Sequence, residues 1–218
     1  MDVIDSSSFF DCVQLKEIVI PSHITEISKN SFLKCKSLVR VIIPPSVTKI
    51  GLGAFSYCTS LKMIEIPSSV KIIEERVFNY CSSLVKVVFP PSITEIPAYL
   101  FDQCTSLKEI EIHSFVTRID HFAFRNCSSL THVKIPQSVT FIGKYCFDGC
   151  KSLDNIEIPP LVTSIEEGTF RNCISLENIL IPPSVIAIKK EAFLRCTSLG
   201  EIKLLPSVTE IAADAFSS

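Results

Sequence analysis

Phenylalanine recurs at an interval of 23 residues along the whole chain, and this period constrains the fold more than any other feature. Self-similarity at a fixed period of this size is typical of proteins built from stacked repeats. A unit of 23 residues is too short to close a hydrophobic core alone, so neighbouring units must bury their apolar columns against each other. The period therefore predicts one repeat solenoid. The ten positions in register are Phe9, Phe32, Phe55, Phe78, Phe101, Phe124, Phe147, Phe170, Phe193 and Phe216.

The other positions of the repeat are equally regular and give the consensus C-x-x-L-x-x-I-x-I-P-x-S-V-T-x-I-x-x-x-A-F-x-x. The segment L-x-x-I-x-I ends in two alternating β-branched residues, which is typical of a short strand. The proline that follows, as at Pro21, ends the hydrogen-bond ladder of that strand. In the second part of the unit, apolar residues such as Phe55 and Cys58 are three or four places apart. That spacing predicts a helical or 3-10 turn.

This pattern resembles the BspA-type class of leucine-rich repeats, and the stretch from Leu130 to Cys150 (LTHVKIPQSVTFIGKYCFDGC) shows it almost intact. The resemblance covers essentially all 218 residues. It implies a curved solenoid with a parallel β-sheet on its concave face and short helical or 3-10 turns on its convex side. The place that holds Asn in the general leucine-rich repeat holds Ser here, except at His23, Phe115 and Leu161. We expect a single solenoid over residues 1–218, of about nine coils, with an incomplete coil at each end.

Nine of the ten cysteines lie in one column of the repeat, three places after the phenylalanine. Because free cysteine packs as a small hydrophobe, the column is expected to hold buried thiols. Cys146 lies off the column, in a place that is Ala in other units, and is four residues from Cys150. Two thiols without a converging histidine make a poor zinc site, and His113, His121 and His132 fall in different columns. We therefore expect no metal, no cofactor and no catalytic residue.

Charge and hydropathy exclude several classes of partner. Lys and Arg number 21 against 23 Asp and Glu, for a net charge of −2, which gives no basic field for nucleic acid. No apolar stretch approaches the roughly 18 residues of a membrane span, so membrane insertion is not expected. The first five residues are acidic and do not resemble a secretory signal. As written, the sequence predicts a cytoplasmic chain, whereas the resemblance implies the cell surface or secretion.

Exposed columns carry the functional information, because the fold does not dictate their residues. The predicted solvent side of the strands is apolar in the first four units and becomes more acidic later, from Glu109 to Glu201. Contiguous exposed apolar surface commonly marks an interaction site, although Val and Ile also favour strands for their own sake. The predicted protein-binding residues of this surface are Val19, Val39, Ile42, Met63, Val85 and Val88.

A second anomaly lies two places before the repeat phenylalanine, where Tyr99, Phe122 and Tyr145 follow one another in successive units. They are predicted to form an aromatic ladder on the outer side, and aromatic residues dominate interaction hot spots. Partial burial against the turn is the alternative explanation. We include the three residues among the predicted protein-binding positions.

These observations predict a non-catalytic binding or adhesion module that presents its concave sheet to a protein partner. The resemblance implies a host or matrix protein as one kind of partner. The alternative is a structural or self-associating solenoid segment of a larger surface protein. It rests on the incomplete end units, whose bare apolar layers predict end-to-end oligomers.

Overall fold

The computed structural model describes residues 2–218, and eight successive coils in that range each contain two short strands joined by turns, whereas the last coil has only the second strand. No residue of that range is helical. The strands are numbered in chain order. The concave strands are Glu17–Val19 (β2), Arg40–Ile42 (β4), Met63–Glu65 (β6), Lys86–Val88 (β8), Glu109–Glu111 (β10), His132–Lys134 (β12), Asn155–Glu157 (β14) and Asn178–Leu180 (β16). The second strands are Val3–Ile4 (β1), Glu26–Ile27 (β3), Lys49–Ile50 (β5), Ile72–Ile73 (β7), Glu95–Ile96 (β9), Arg118–Ile119 (β11), Phe141–Ile142 (β13), Ser164–Ile165 (β15), Ala187–Ile188 (β17) and Glu210–Ile211 (β18).

Every strand pair is parallel and joins equivalent positions of neighbouring coils. On the concave face Ile18 lies opposite Val41, and in the second row of strands Ile27 lies opposite Ile50. The fold is therefore the leucine-rich-repeat solenoid that the 23-residue period predicts, with about nine coils. The alternation in the repeat consensus predicts only one strand in each coil. The second strand has only two residues, which is too short to produce a recognisable alternation of polar and apolar residues.

The convex segments form hydrogen-bonded turns. In the second coil, the Cys35 amide donates to the Phe32 carbonyl three residues back, which is the 3-10 type of bond (3.1 Å). The Phe32 amide instead donates to the Ala54 carbonyl in the next coil (2.8 Å). A positive φ occurs two places before each repeat phenylalanine and two places after those from Phe9 to Phe193, as at Gly53 and Tyr57. These left-handed residues interrupt helical geometry, so the turns do not continue into a helix.

The core is a set of columns that run the length of the solenoid. The ring centroids of successive repeat phenylalanines lie 4.9–6.1 Å apart, with planes within 17° of parallel. From Phe32 to Phe193 these side chains are fully buried, which stabilises the fold by about 1.5–3 kcal/mol for each ring. Each phenylalanine ring stacks on the rings of neighbouring coils, so the stability of each coil depends on its neighbours.

The serine of the consensus stabilises the loop after the concave strand. Ser46 Oγ donates to the Ile24 carbonyl in the preceding coil (2.6 Å), and Ser138 Oγ bonds the Val116 carbonyl in the same way (2.6 Å). A hydroxyl thus satisfies a loop carbonyl at the place where the general repeat has Asn. Phe115 lacks this donor, and its side chain is 62% exposed.

Candidate interaction surfaces

The predicted binding residues of the concave face are all exposed. Val19 is 67% and Met63 58% exposed, within β2 and β6. Ile42 and Val88 end the strands β4 and β8, while Val39 and Val85 directly precede those strands. All six side chains therefore lie on the solvent side, in adjoining coils. We refer to these six residues as the concave apolar surface.

The later coils of the concave face are less uniformly acidic than the sequence suggested. Glu109, Glu111 and Glu157 are exposed as predicted. Lys134 lies in the same column between the last two, and Leu180 at the end of β16 is 71% exposed. The face therefore changes from apolar to mixed charge along the solenoid axis, and an isolated apolar side chain interrupts its acidic end.

A groove of about 650 Å³ lies over the concave strands β8, β10 and β12, at the boundary between these two regions. Its wall includes Val88 of the concave apolar surface. At its rim, the His113 ring nitrogen Nε2 lies 2.8 Å from the Phe89 carbonyl. Charges of opposite sign alternate across its floor from coil to coil, so the groove combines apolar contact with polar partners. The residues that supply those charges are Lys86, Glu109, Glu111 and Lys134.

On the convex side, Tyr99, Phe122 and Tyr145 form the stacked ladder that the sequence predicts. The Tyr99 and Phe122 centroids are 4.7 Å apart, and those of Phe122 and Tyr145 are 5.2 Å apart, with planes within 10°. The Arg76 guanidinium lies 4.3 Å from the Tyr99 centroid and covers that end of the ladder. All three rings are half-buried. These four residues, Arg76, Tyr99, Phe122 and Tyr145, are named the aromatic strip.

The backbone beneath the aromatic strip disfavours large side chains. An L-residue in the left-handed region costs about 1–2 kcal/mol, and a stacked aromatic pair returns about 0.5–1.5 kcal/mol. The two stacking contacts therefore offset only part of the backbone cost of three aromatic residues. Glycine, asparagine and aspartate suit this column better. The ten residues of the column, with φ from 54° to 61°, are Ser7, Asn30, Gly53, Arg76, Tyr99, Phe122, Tyr145, Gly168, Glu191 and Asp214.

A polar ladder lies beside the aromatic strip, in the place directly after the repeat phenylalanine. Asp102 is buried, and Arg125 of the next coil donates to both of its carboxylate oxygens (2.9 and 2.7 Å). Two coils further on, Arg171 makes the same paired contact with the buried Asp148 (3.1 and 3.0 Å). The Asp102 carboxylate raises the pKa of the Arg125 guanidinium, because the hydrogen bonds favour the charged form.

The predicted sites did not include this ladder, although the residues of its column contain a signal for it. Its members alternate in charge or hydrogen-bonding role from coil to coil, and such alternation predicts pairing between neighbours. Asn79 Nδ2 extends the ladder by donating to Asp102 Oδ2 (3.1 Å). The column reads Leu33, Ser56, Asn79, Asp102, Arg125, Asp148, Arg171 and Leu194.

Tyr145 joins the aromatic strip to a surface ion pair. Its hydroxyl donates to Glu167 Oε1 (2.7 Å), and Lys144 contacts the same carboxylate (3.2 Å). Burial and this hydrogen bond raise the pKa of the Tyr145 hydroxyl to about 12. The same hydroxyl and Lys144 lower the pKa of Glu167. The Tyr145 ring is therefore held at both its face and its hydroxyl.

The cysteine column is a structural feature, and its members are buried as predicted except for the exposed Cys12 and the half-buried Cys196. Each Sγ from Cys35 to Cys196 donates to the carbonyl of the phenylalanine in the preceding coil, at 3.0–3.2 Å. Burial raises the pKa of these thiols, to about 12 at Cys81, so they remain protonated. Cys12 is exposed, because no preceding coil covers it in the described residues.

Cys146 and the histidines do not converge on a common point. Cys146 is fully buried in the place of a small residue, and burial raises its thiol pKa. His121 Nδ1 accepts a hydrogen bond from the Lys144 amide (2.9 Å), while His132 lies 3.8 Å from Asp154 on the concave face. Over residues 2–218, His, Cys, Asp and Glu side chains form no group of three or more that could hold a metal ion. In the same range, no helix has the length and apolar character to cross a membrane.

Comparison with known families gives a match over nearly the whole chain. The model described as "BspA type Leucine rich repeat region (6 copies)" matches residues 2–131 and 117–218. A search of curated proteins found no significant match.

Solved structures resemble the chain in both fold and sequence. A leucine-rich repeat protein from Bacteroides ovatus is 28% identical, with a TM-score of 0.74 over 99% of this chain and 67% of that one. A leucine rich cell surface protein from Faecalibacterium prausnitzii is also 28% identical, with a TM-score of 0.63 over 98% of this chain and 65% of that one. A T. pallidum leucine-rich repeat protein is 29% identical, with a TM-score of 0.57 over 86% of this chain and 79% of that one. The chain spans about two thirds of the length of the first two.

Proposed function

Because the chain belongs to the BspA-type leucine-rich repeat family, we propose that it is a non-catalytic module that binds a protein partner through its concave sheet. The observation that carries this proposal is the concave apolar surface, which has exposed members in four adjoining coils, with Glu65 between Ile42 and Val88. Val19 and Ile42 are paired neighbours in β2 and β4, so their side chains form one patch rather than isolated contacts. Exposed apolar patches with a charged surround are typical of protein interaction sites.

The groove beside Val88 supports the same assignment. It provides a recess for an anchoring side chain, and its alternating charges supply the polar rim that protein interfaces combine with an apolar centre. The partner class is a surface or matrix protein, and the module acts at the cell surface. A structural relative that is a cell surface protein supports that location. The cysteines support a non-catalytic role, since their thiols are held protonated in the core.

Replacement of Val19, Ile42 and Val88 by Glu tests the proposal. The substitutions place charges where a partner would bury apolar side chains, and the free side chains face solvent, so the fold is preserved. Binding is measured by surface plasmon resonance against a panel of purified extracellular-matrix proteins. We expect the unsubstituted chain to bind a member of the panel, and the triple variant to lose that binding while its circular dichroism and thermal unfolding are unchanged.

A second triple variant controls for added charge. Ile72, Leu161 and Ile186 are similarly exposed apolar residues that lie off the concave strands, and each is replaced by Glu. We expect this variant to bind as the unsubstituted chain does. Equal loss of binding in both variants would show a nonspecific charge effect. Undiminished binding by the concave variant, or no binding of the panel by the unsubstituted chain, would contradict the proposed function.

A further inference from the structure

We propose that the aromatic strip binds a second copy of this chain, back to back, about a two-fold axis that passes through Phe122. The concave face remains free in such a dimer, so the inference is independent of the proposed function. Folding alone does not explain why this column holds aromatic residues, because its left-handed backbone conformation suits Gly or Asn. Retained strain of this kind is found at sites where a residue serves a function.

The order of residues in the strip's column is nearly symmetric about Phe122. The column reads Arg76, Tyr99, Phe122, Tyr145 and Gly168 in five successive coils. A two-fold axis through Phe122 places Phe122 against itself and Tyr99 of each copy against Tyr145 of the other. An interface of this type is isologous and closes at two copies.

The ends of the strip are complementary under the same axis. Arg76 of one copy meets the Tyr145 end of the other, where the Tyr145 ring lies against the buried Gly168 and no further side chain of the column covers that ring. Directly before Gly168, Glu167 offers a carboxylate to the Arg76 guanidinium, which is about half exposed. Within one copy, Arg76 pairs with the exposed Glu75, and the Glu167 carboxylate accepts hydrogen bonds from Tyr145 and Lys144. The contact would therefore form twice in the dimer, once at each end of the strip.

Net charge does not oppose the approach of two such surfaces. Each cationic side chain around the strip contacts an acidic side chain of the same copy, and the formal charges cancel. A neutral surface also lacks the attraction that would favour a nucleic acid or an anionic membrane. The pairs are Arg76 with Glu75, Arg125 with Asp102, Lys144 with Glu167, Arg171 with Asp148, and Lys190 with Glu191.

Shape favours a second copy of the chain over a flat ligand. The rings cover each other's faces at 4.7 and 5.2 Å, so they offer their edges, which suit edge-to-face contact with other rings. Two convex surfaces touch over only a few coils, and the aromatic strip occupies four successive coils. Tyrosine and arginine at the centre of a contact are typical of interaction hot spots.

Sedimentation equilibrium over a wide concentration range tests the dimer. We expect a reversible monomer–dimer equilibrium for the unsubstituted chain. Phe122→Asn fits the left-handed backbone, as Asn30 does in the same column. It should raise the dimer Kd at least about tenfold, which corresponds to about 1.4 kcal/mol. Phe115→Ser removes an equally aromatic but distant exposed ring and should leave the Kd unchanged. A monomer at every concentration, growth beyond the dimer, or an unchanged Kd for Phe122→Asn would overturn the proposal.

Cysteine cross-linking then tests the two-fold axis. A background with Cys12→Ser and Cys196→Ser removes the exposed and the half-buried thiol, while the remaining thiols are buried and inaccessible. In this background, Phe122→Cys is expected to form a disulfide between two copies under mild oxidation. Tyr99→Cys should cross-link efficiently only when it is mixed with Tyr145→Cys, because the axis brings those two positions together. Failure of Phe122→Cys to cross-link, or self-cross-linking of Tyr99→Cys as efficient as the mixed reaction, would overturn the back-to-back arrangement.

Discussion

The concave and convex faces of the solenoid both expose large apolar side chains, but the backbone beneath those side chains differs. Val19, Ile42 and Val88 lie in extended strands, where β-branched residues are favoured even without a partner. Tyr99 and Phe122 lie at positive φ, where a large side chain is disfavoured. Exposure alone is thus a weaker sign of function on the concave face than on the convex face. The concave proposal depends on the clustering of exposed apolar residues in four adjoining coils, and the convex proposal on backbone strain.

The concave and convex faces cover the same buried core, and alkaline pH probes whether that core is closed to solvent. A thiol whose pKa is raised by folding stays protonated in the folded chain while it ionises in the unfolded chain. Its contribution to stability is therefore complete below its ordinary pKa of 9.0 and is lost as pH rises toward the folded value, about 11 for Cys35 and about 12 for Cys81. Between these limits each thiol removes about 1.4 kcal/mol per pH unit.

The same direction of shift holds for nine thiols, so the free energy of unfolding should fall by several kcal/mol per pH unit above pH 9. Urea unfolding followed by circular dichroism between about pH 7 and pH 10.5 measures this slope. Cys12→Ser serves as a control and should retain the full slope, because Cys12 is exposed. A free energy of unfolding that stays constant to pH 10.5 would mean that the thiols are not enclosed in a common core.

Inward-facing and outward-facing side chains of neighbouring coils should contribute differently to stability. Leu107 is fully buried, and Leu107→Ala should cost about 2–5 kcal/mol because it opens a cavity in the stack. Val85 lies on the concave apolar surface, and Val85→Ala should change stability by less than about 0.5 kcal/mol. Chemical denaturation of the two variants measures both values. Equal losses, or a larger loss for Val85→Ala, would show that the inward and outward columns are wrongly assigned.

The repeat period predicted most of the fold because each apolar column is set by a single periodic requirement. Phe55, Cys58 and Leu61 recur at fixed places, so the coil, its stacking and the inward direction of those side chains follow from their spacing. The second strand did not follow, since two residues carry no period. Helical spacing also predicted turns correctly without revealing the left-handed residues at Gly53 and Tyr57, which keep those turns from becoming a helix.

For the surfaces, sequence showed which residues are exposed but not what backbone they occupy. The alternation within the strands was sufficient to place Met63 and Val88 on the solvent side. The ladder of Tyr99, Phe122 and Tyr145 could be predicted from register alone. Its strain could not, because a positive φ at a tyrosine or phenylalanine contradicts the residue's own preference. The pairing of Asp102 with Arg125 was not predicted, because the residue type in that column changes from coil to coil. The repeat consensus therefore does not show it.

The smallest expected effect is also the most direct test of the difference between the two faces. Phe122→Asn removes a half-buried aromatic side chain from the convex face. Val88→Asn removes an exposed apolar side chain from the concave face. The free energy of unfolding of each is measured by urea denaturation at low protein concentration, where association does not contribute. We predict that Phe122→Asn changes stability by less than about 1 kcal/mol, because the relief of the left-handed backbone offsets most of the two ring contacts that are lost. Val88→Asn should lower stability by up to about 1 kcal/mol, because Asn is a poorer strand former. A loss of more than about 1 kcal/mol for Phe122→Asn would contradict the account, since the fold itself would then require the aromatic strip.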